Sequence, residues 1–516
     1  MPLQRLSLVS RILAIGVLSA LAGCAALPAA VDRPSSSAYV DTGNSRIGLA
    51  VAGAVEAHPG KTGVLPLLSG REAFAARMIF ARAADRSLDV QYYIWRPDTT
   101  GNLVFHALWQ AAERGVRVRL LLDDQNTSGL DPTLAALDSH PNIEVRLFNP
   151  FASRSFRIGD YTHSFARLNR RMHNKSFTAD NQVAIVGGRN IGDEYFEAGS
   201  AVAFADLDTV VEGAVVHDVS LQFDAYWNSA SAYPLASLVP AADSNGVASV
   251  LDNWSRLSAS PEAAQYLEAV RETALVQQLV IGKLELEWVN ARLVSDDPAK
   301  VLHPPERREM QMGPRLQAAM GQPSSEMDLV SPYFVPTKEG TEALIAVAAR
   351  GVRVRVLTNS LAATDVAPVY AGYVKYRKAL LRGGVQLFEL KPEGPDRPHG
   401  KVGASSAASL HAKTFAIDRS RIFIGSFNLD PRSARLNTEV GVVLESPTLA
   451  TQLSEAFDSG IPNRAYEVRL TSDGTDVEWI EKTPAGEVRH SSTPGVSASR
   501  VFFVDLLRLL PIEWLL

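Results

Sequence analysis

Two segments of the chain carry the same polar residues at the same spacing. The first, RMHNKSFTADNQVAIVGGRN, spans residues 171–190, and the second, SLHAKTFAIDRSRIFIGSFN, spans residues 409–428. Each contains His, Lys and Asp in that order, then Gly followed by Gly or Ser, and finally Asn. With average residue usage, such a pattern arises by accident in on the order of one chain per 100,000. Two copies therefore indicate an internal duplication that any fold of this chain must accommodate.

The segments that precede the two copies also correspond. SLDVQYYIW at 87–95 matches EMDLVSPYFVP at 326–336, and AAERGVRVRLLLDD at 111–124 matches AARGVRVRVLTNS at 348–360. In both halves, short β-branched runs alternate with helical stretches, which is typical of sheets covered by helices. We therefore predict an α/β fold of two pseudo-symmetric lobes, each a mixed sheet flanked by helices.

The duplication and its flanks divide the chain into consecutive parts. The segment 31–60, rich in Ala, Ser, Gly and Pro, predicts a tether, and Asp473-Gly474 predicts a hairpin turn. The apolar ending predicts a helix docked on the domain, with an interfacial membrane contact as the alternative. The predicted parts are a lipoprotein signal peptide (1–23), a lipidated N-terminus and tether (24–62), lobe 1 (63–250), a connecting helical segment with the start of lobe 2 (251–310), lobe 2 (311–463), and a C-terminal hairpin with an apolar tail (464–516).

The N-terminus has the layout of an export signal. Two arginines precede the apolar run Ile12 to Ala22, which is too short to span a bilayer. The sole cysteine, Cys24, ends the sequence LAGC, which resembles the lipobox of bacterial lipoproteins. That resemblance implies cleavage before Cys24, attachment of lipid, and anchoring in the cell envelope, at the periplasmic face of an outer membrane where the host has one. The alternative is a chance buried thiol in an uncleaved segment.

The overall charge argues against one class of partner. The chain is 46% hydrophobic and 21% charged, as in globular proteins, and its formal net charge is -5. Proteins that bind nucleic acids usually carry a basic excess, because release of counterions from phosphates drives their binding. We therefore expect no nucleic-acid partner.

The repeated residues suit the chemistry of phosphate esters. His173 and Lys175 are two positions apart, so on a strand they project from the same face. The lysine supplies positive charge, Asn190 supplies an N–H donor, and the histidine can act as nucleophile or acid. The second copy repeats the set as His411, Lys413 and Asn428. Phosphoryl transfer needs such groups around the phosphorus, with attacking and leaving atoms roughly in line.

Two other interpretations of the motif are weaker. A metal site is disfavoured, because lysine is not a usual ligand and no carboxylate cluster lies close in sequence. A core histidine beside a surface lysine could explain one copy, but two matching copies make it a poor explanation of both. We therefore predict no metal site.

Both motifs resemble the HKD motifs of the phospholipase D superfamily, and GGRNIGDEYF is most similar to bacterial cardiolipin synthases. The lipobox, the tether and the ending LPIEWLL resemble the subgroup of cardiolipin synthase C. The resemblance covers nearly all of Leu65 to Pro462 and implies phospholipase D-like lobes, a covalent phosphohistidine, and neither a metal nor an organic cofactor. It implies His173 as nucleophile and His411 as general acid and then base, although the two roles could be exchanged. The residues it implies at the phosphoryl oxygens are Lys175, Lys413, Asn190 and Asn428.

The same resemblance implies several functional carboxylates. An acidic residue orients each histidine ring, in the manner of a hydrolase triad. We expect Glu439 in the second half and, by aligning FADLDTVVEG with LNTEVGVV, Asp208 in the first. The superfamily also implies a place for Asp180 and Asp418 in the active site, although an aspartate at such a turn can serve to hold the backbone.

These features together predict a membrane-anchored phosphatidyltransferase. It would act on phosphatidylglycerol, with phosphatidylethanolamine as an alternative reactant, and its product would be cardiolipin. A phospholipase D that releases phosphatidic acid is the nearest alternative, because water can attack the same intermediate. A nucleic-acid phosphodiesterase and a non-catalytic phosphate-binding scaffold are weaker alternatives. The sequence leaves open the donor and acceptor lipids, any partner protein and the oligomeric state.

Overall fold

The computed structural model describes residues 26–28, 31–199, 202–392 and 407–516. Cys24 lies outside the described residues. The predicted α/β duplication is confirmed: the described strands form two large mixed sheets, each flanked by helices.

The strands follow the predicted alternation with helices. In chain order they are β1 (Thr62–Leu67), β2 (Ser87–Tyr92), β3 (Arg117–Asp123), β4 (Ile143–Phe148), β5 (Ser176–Ala179), β6 (Val183–Gly187), β7 (Val202–Ala205), β8 (Asp208–Gly213), β9 (Ala232–Pro234), β10 (Glu287–Val289), β11 (Ala291–Ser295), β12 (Glu326–Val330), β13 (Arg353–Asn359), β14 (Gln386–Leu390), β15 (Ala407–Leu410), β16 (Lys413–Ile417), β17 (Arg421–Gly425), β18 (Val440–Leu444), β19 (Ala465–Leu470), β20 (Val477–Thr483) and β21 (Gly486–His490).

The helices cover the faces of these sheets. The α-helices are α1 (Arg46–Ala57), α2 (Gly70–Ala83), α3 (Thr99–Glu113), α4 (Asp131–Asp138), α5 (Arg157–Leu168), α6 (Asp193–Phe196), α7 (Ala214–Trp227), α8 (Ser244–Ser258), α9 (Pro261–Arg271), α10 (Ala274–Val280), α11 (Met312–Met320), α12 (Thr337–Ala349), α13 (Ala367–Arg382), α14 (Pro447–Glu455), α15 (Ile461–Arg464) and α16 (Ala498–Arg508). Across the described ranges, every helix is too short or too polar to cross a lipid bilayer.

The two sheets share a central arrangement. The first runs in the order β10-β1-β8-β6-β5-β2-β3-β4-β9, and the second in the order β11-β18-β17-β16-β12-β13-β14-β19-β20-β21. In each, three parallel strands (β2-β3-β4 and β12-β13-β14) adjoin an antiparallel hairpin that carries the motif (β5-β6 and β16-β17). The parallel strands are mostly buried because helices cover both faces, which explains their continuous apolar runs.

The lobes join through an apolar core and through main-chain pairing. Side chains of both sheets, including Val211 of β8 and Val442 of β18, form one buried cluster. A separate pair of parallel strands, β7 and β15, connects lobe 1 to lobe 2. This pairing brings the two halves together beside the motifs.

The regions outside the two lobes are more ordered than the sequence suggests. The segment predicted as a tether contains α1, and part of it packs on lobe 1, where the Asp224 carboxylate accepts the Ala38 N–H at 2.9 Å. The segment predicted as a connection includes helices whose buried Trp254 and Tyr266 belong to the lobe 1 core. Strands β19 to β21 extend the second sheet, and the predicted hairpin at Asp473-Gly474 is confirmed.

Candidate active site

Each motif histidine is held by the backbone of the opposite lobe. The His173 N–H donates to the Thr438 carbonyl, and the His411 N–H donates to the Ala205 carbonyl, each at 2.8 Å. The residue that follows each of these acceptors is acidic, Glu439 after Thr438 and Asp206 after Ala205. The register of this pairing therefore places one carboxylate next to each histidine.

The carboxylates contact the Nδ1 atoms of the histidines across the lobe boundary. His173 Nδ1 lies 2.8 Å from Glu439 Oε2, and His411 Nδ1 lies 2.5 Å from Asp206 Oδ2. A carboxylate on Nδ1 favours the tautomer with the proton on that nitrogen, which leaves the Nε2 lone pair available for reaction. The predicted contact of Glu439 with a motif histidine is therefore present, but Glu439 serves the histidine of the other lobe.

The prediction for Asp208 is corrected, because Asp206 contacts His411 in its place. The Asp208 carboxylate forms a buried ion pair with Arg77 Nη2 at 2.8 Å and accepts the Arg189 N–H. Asp206 is the first residue after the backbone acceptor of His411, whereas Asp208 already belongs to β8. The sequence pattern pairs Asp208 with Glu439, two positions away, because this main-chain pairing between the lobes is not visible in it.

The dipeptides Gly187-Gly188 and Gly425-Ser426, at the ends of β6 and β17, contact Asp206 and Glu439 in different ways. A Cβ at Gly188 would lie 2.2 Å from Asp206 Oδ1, so the short aspartate requires glycine at this position. Ser426 occupies the equivalent place in lobe 2, and its Oγ donates to Glu439 Oε2 at 2.5 Å. A second hydroxyl, Ser433 Oγ, donates to Glu439 Oε1 at 2.7 Å. Glu439 is therefore fixed on both oxygens.

The motif lysines are buried beside the histidines. Lys175 Nζ donates to the His173 carbonyl at 2.5 Å, and Lys413 Nζ donates to the His411 carbonyl. Lys413 Nζ also lies 2.9 Å from His411 Nδ1. An ammonium has three donors, so each lysine retains donors for an anionic oxygen after its bond to a carbonyl.

Both histidines and both motif asparagines line one cavity of about 680 Å³. Asn190 Oδ1 accepts the Ile94 N–H, and its amide donates to the Tyr195 hydroxyl at 3.0 Å. The buried Asn428 Oδ1 has no hydrogen-bond partner within the described part of the chain. The structure therefore brings His173 and His411 to one cleft, as a shared phosphorus atom requires.

Burial sets the protonation states of this cleft. It lowers the pKa of His173 to about 4 and of His411 to about 3, although Glu439 and Asp206 each oppose the effect. Burial would raise the pKa of both carboxyls, but the adjoining histidines and lysines outweigh it and hold them below their usual range. Both imidazoles are therefore neutral and both carboxylates are charged at neutral pH in the free protein.

Lys413 should contribute to the alkaline limb of activity. Burial lowers the pKa of its ammonium to about 8, with Asp206 and Glu439 opposing the effect, and burial also lowers the pKa of Lys175 well below its usual range. The ammonium is charged below that pH and neutral above it, so we expect kcat/KM to fall as pH rises through about 8. Lys413→Arg keeps a positive charge and should move this limb to higher pH. The measurement is a pH profile of each variant, with the exposed Lys338→Arg as control, and an unmoved limb would contradict the assignment.

The placement of Asp180 and Asp418 in the active site is corrected. Neither residue lines the cavity, and each stands at the far end of its strand, about 20 Å along the chain from the motif histidine. The Asp180 carboxylate accepts backbone N–H groups of Arg86 and Ser87, and Asp418 binds the corresponding amides of Ser325 and Glu326. The predicted backbone-holding role is present, although the amides belong to a neighbouring loop.

Asp418→Ala should therefore reduce stability rather than turnover. We expect a loss of about 2 kcal/mol, because charged hydrogen bonds to backbone amides are lost, with kcat of the folded protein unchanged. Backbone N–H bonds outweigh burial and hold the pKa of Asp418 far below its usual range. Its contribution is present above the unfolded pKa, near about 4, and disappears as pH falls further. Urea unfolding at several pH values measures this effect, and Asp505→Ala is the surface control.

Sequence reasoning missed several residues of the cleft. The predicted site includes neither Asp206, nor the hydroxyls of Ser426 and Ser433, nor any aromatic residue. Tyr92 and Trp95 are buried in the core, but Tyr93 lines the cavity and packs edge-on against His173, with ring centroids 4.9 Å apart. The position of a lining residue depends on the distant segment it faces, which no local pattern reveals.

Comparisons with known proteins agree with this geometry. The family described as "Cardiolipin synthase, PLD-like domain" matches residues 79–227 and 316–461. Cardiolipin synthase C of Escherichia coli (strain K12) is 47% identical over 476 residues, 91% of this chain and 100% of that protein. The major cardiolipin synthase ClsA of Bacillus subtilis (strain 168) is 23% identical and covers 76% of this chain and 67% of that protein.

A solved structure supports the fold independently. The crystal structure of phosphatidylserine synthase from Haemophilus influenzae Rd KW20 superposes with a TM-score of 0.53 over 81% of this chain and 91% of that chain, at 15% identity. The predicted resemblance is confirmed by the family match to both lobes and by the identity to a relative covered over its full length. This chain belongs to the cardiolipin synthase family of the phospholipase D superfamily.

Proposed function

We propose that this protein is a phosphatidyltransferase that joins two phospholipids into cardiolipin through a phosphohistidine intermediate. The observation that supports it best is the pair of neutral imidazoles in one cavity, each with Nδ1 on a carboxylate from the opposite lobe. Phosphatidylglycerol is the proposed donor and acceptor, in agreement with the similarity to cardiolipin synthases, and phosphatidylethanolamine is an alternative reactant.

The first step transfers the phosphatidyl group to the protein. His173 Nε2 attacks phosphorus, the bond from phosphorus to the headgroup oxygen breaks, and His411 protonates that leaving oxygen. His411 must carry an extra proton for this step, and the negative charge of the bound diester favours it. Asp206 stabilises that imidazolium before the transfer, in the way a triad carboxylate does, and the transfer leaves His411 neutral.

The second step reverses these roles. A hydroxyl of the acceptor lipid gives its proton to His411, its oxygen attacks phosphorus, and the bond from phosphorus to His173 breaks. Lys175 and Lys413 lie beside the two histidines, where their charge can stabilise the phosphoryl oxygens in both steps. Asn190 and Asn428 line the same cavity and are proposed to hold those oxygens.

The walls of the cavity favour transfer over hydrolysis. Apolar side chains contribute much of its lining, namely Phe204, Val366, Val369, Leu515 and Leu516. Such walls exclude water from a reactive intermediate and leave the acceptor hydroxyl as the nucleophile that reaches phosphorus.

The test uses purified full-length protein and vesicles containing labelled phosphatidylglycerol. Labelled cardiolipin with an equivalent of free glycerol supports the proposal, and phosphatidic acid without cardiolipin would show a phospholipase instead. A matched histidine control is available in His163→Ala, because His163 is exposed on α5 and does not line the cavity. Cleavage of labelled DNA in place of any lipid reaction would assign the protein to the nuclease class.

We also propose that lipid on Cys24 anchors the mature chain, at the periplasmic face of the outer membrane in a host that has one. The LAGC sequence supports this proposal. Cys24→Ser should release the protein from the membrane fraction, or leave it as an uncleaved precursor. Globomycin, which inhibits lipoprotein signal peptidase, should cause the precursor of the unmodified chain to accumulate. Unchanged processing under both treatments would contradict lipidation.

A further inference from the structure

The helix α16 is apolar on two opposite faces. Its inner face carries Val504, which is buried in the lobe 2 core, with Val501 and Leu507 packed around it. This contact confirms the predicted docking of the C-terminal helix. Its outer face and its C-cap expose further large apolar side chains, with Phe502 71% and the C-cap Leu509 80% accessible. Large apolar side chains exposed on the outer face of a docked helix indicate a surface that a partner covers.

A second exposed apolar surface lies on α5 of the other lobe. Ile158 is 71% accessible, and Phe156 and Phe165 are also exposed. Asp160, the acid within this helix, is buried and accepts the backbone N–H groups of Ala152 and Ser153. The outward side of α5 therefore presents no carboxylate.

Arg432 links the end of α5 to the segment that follows α16, at the edge of the catalytic cavity. Its guanidinium donates to Asn169 Oδ1 at 2.9 Å and to the Leu515 carbonyl at 2.6 Å. Asn169 is the C-cap of α5, one turn from Phe165, and Trp514 is the exposed neighbour of Leu515. Arg432, Leu515 and Leu516 all line the cavity. We define the apolar rim by Phe156, Ile158, Phe165, Phe502, Leu509 and Trp514.

We propose that the apolar rim is a docking surface for a lipid bilayer, which seats the mouth of the catalytic cavity on the membrane. This inference rests on the proposed function, because the reacting phospholipids have their acyl chains in a bilayer. Exposed apolar patches mark interaction surfaces, and aromatic and aliphatic side chains enter the boundary between headgroups and acyl chains. Leu515 and Leu516, which follow Trp514 of the rim, line the cavity, so apolar side chains lead from this part of the rim toward the histidines.

A bilayer suits this surface better than a second copy of the chain. A protein docked on the rim would cover the mouth of the cavity, whereas a membrane at the same place delivers the substrate. Two acids near the rim are paired with cations, which reduces their repulsion from an anionic surface. Asp505 pairs with Arg508 at 2.9 Å, and Glu513 pairs with Lys375 at 3.6 Å.

The experiment compares two substrates of the same chemistry. Phosphatidylglycerol in vesicles requires docking, while a short-chain phosphatidylglycerol below its critical micelle concentration does not. The double variant Phe502→Ser with Leu509→Ser should lose about tenfold in kcat/KM on vesicles and keep its rate on the monomeric lipid. The matched control is Leu49→Ser with Leu221→Ser, which changes two exposed leucines on α1 and α7.

The outcomes separate the docking surface from the proposed function. Activity on the monomeric lipid tests the reaction itself, and its absence in the unmodified chain would reject the reaction. Equal vesicle rates for the rim variant and its control would overturn the docking proposal. Loss of rate on both substrates, or a change of oligomeric mass in the rim variant without a change in vesicle rate, would also overturn it.

A second measurement does not depend on the double variant folding. Brominated acyl chains in phosphatidylglycerol vesicles quench tryptophans that enter the bilayer. The fluorescence of the full-length chain should contain a quenched component that disappears in Trp514→Phe. Equal quenching in both proteins would show that the rim stays outside the membrane, whatever anchors the rest of the chain.

Discussion

Replacement of either His173 or His411 by alanine is expected to reduce cardiolipin formation by about four orders of magnitude. The two rings line one cavity, and each is held at Nδ1 by its own carboxylate. Neither histidine can therefore take over the role of the other. His163→Ala should retain normal turnover. A variant of either cavity histidine with a near-normal rate would remove that residue from the mechanism.

The two histidine variants should differ in the intermediate they form. A donor lipid with a nitrophenol leaving group needs no protonation when the phosphorus–oxygen bond breaks. His411→Ala should therefore still form the phosphorus–nitrogen bond, and mass spectrometry of peptides kept at alkaline pH should find the phosphatidyl group on His173. His173→Ala should show no adduct. Detection of the group on His411 in the second variant would exchange the two roles.

The second large effect is expected at Asp206. Asp206→Asn removes the negative charge next to His411 Nδ1 while keeping the size of the side chain, so kcat should fall by about 10²- to 10⁴-fold. With the nitrophenyl donor, formation of the intermediate should recover, because the imidazolium is no longer needed as an acid. Stability in urea should change little, since a neutral amide can still bond to the ring.

Asp208→Asn provides the matched comparison two positions away. This change leaves Arg77 without its charged partner in a buried site, which costs about 3–5 kcal/mol of stability. The turnover of the folded fraction should stay close to normal. A large loss of kcat in Asp208→Asn together with normal turnover in Asp206→Asn would restore the original assignment and contradict the observed contacts.

The residues that the sequence located well are those whose geometry is local. His173, Lys175 and Asn190 lie in one strand-turn-strand unit, and period-two alternation with a tight turn specifies their relative positions. Asp180 at that turn adopts a positive φ of 52°, a conformation for which aspartate is suited. Because the second copy repeats this unit, the duplication and the chemistry of phosphate esters could both be predicted without coordinates.

The amino-acid sequence by itself determined the two lobes and the paired imidazoles, because short-range spacing and buried apolar runs specify hairpins and helices. Only the tertiary structure decided which acid serves which histidine. Asp206 and Glu439 each cross to the other lobe, and that exchange depends on main-chain hydrogen bonds between segments more than 200 residues apart. The same holds for the apolar rim, since exposure is a property of the packed molecule: Val504 and Leu509 are both apolar residues of the same ending, and packing on lobe 2 buries the first and leaves the second uncovered.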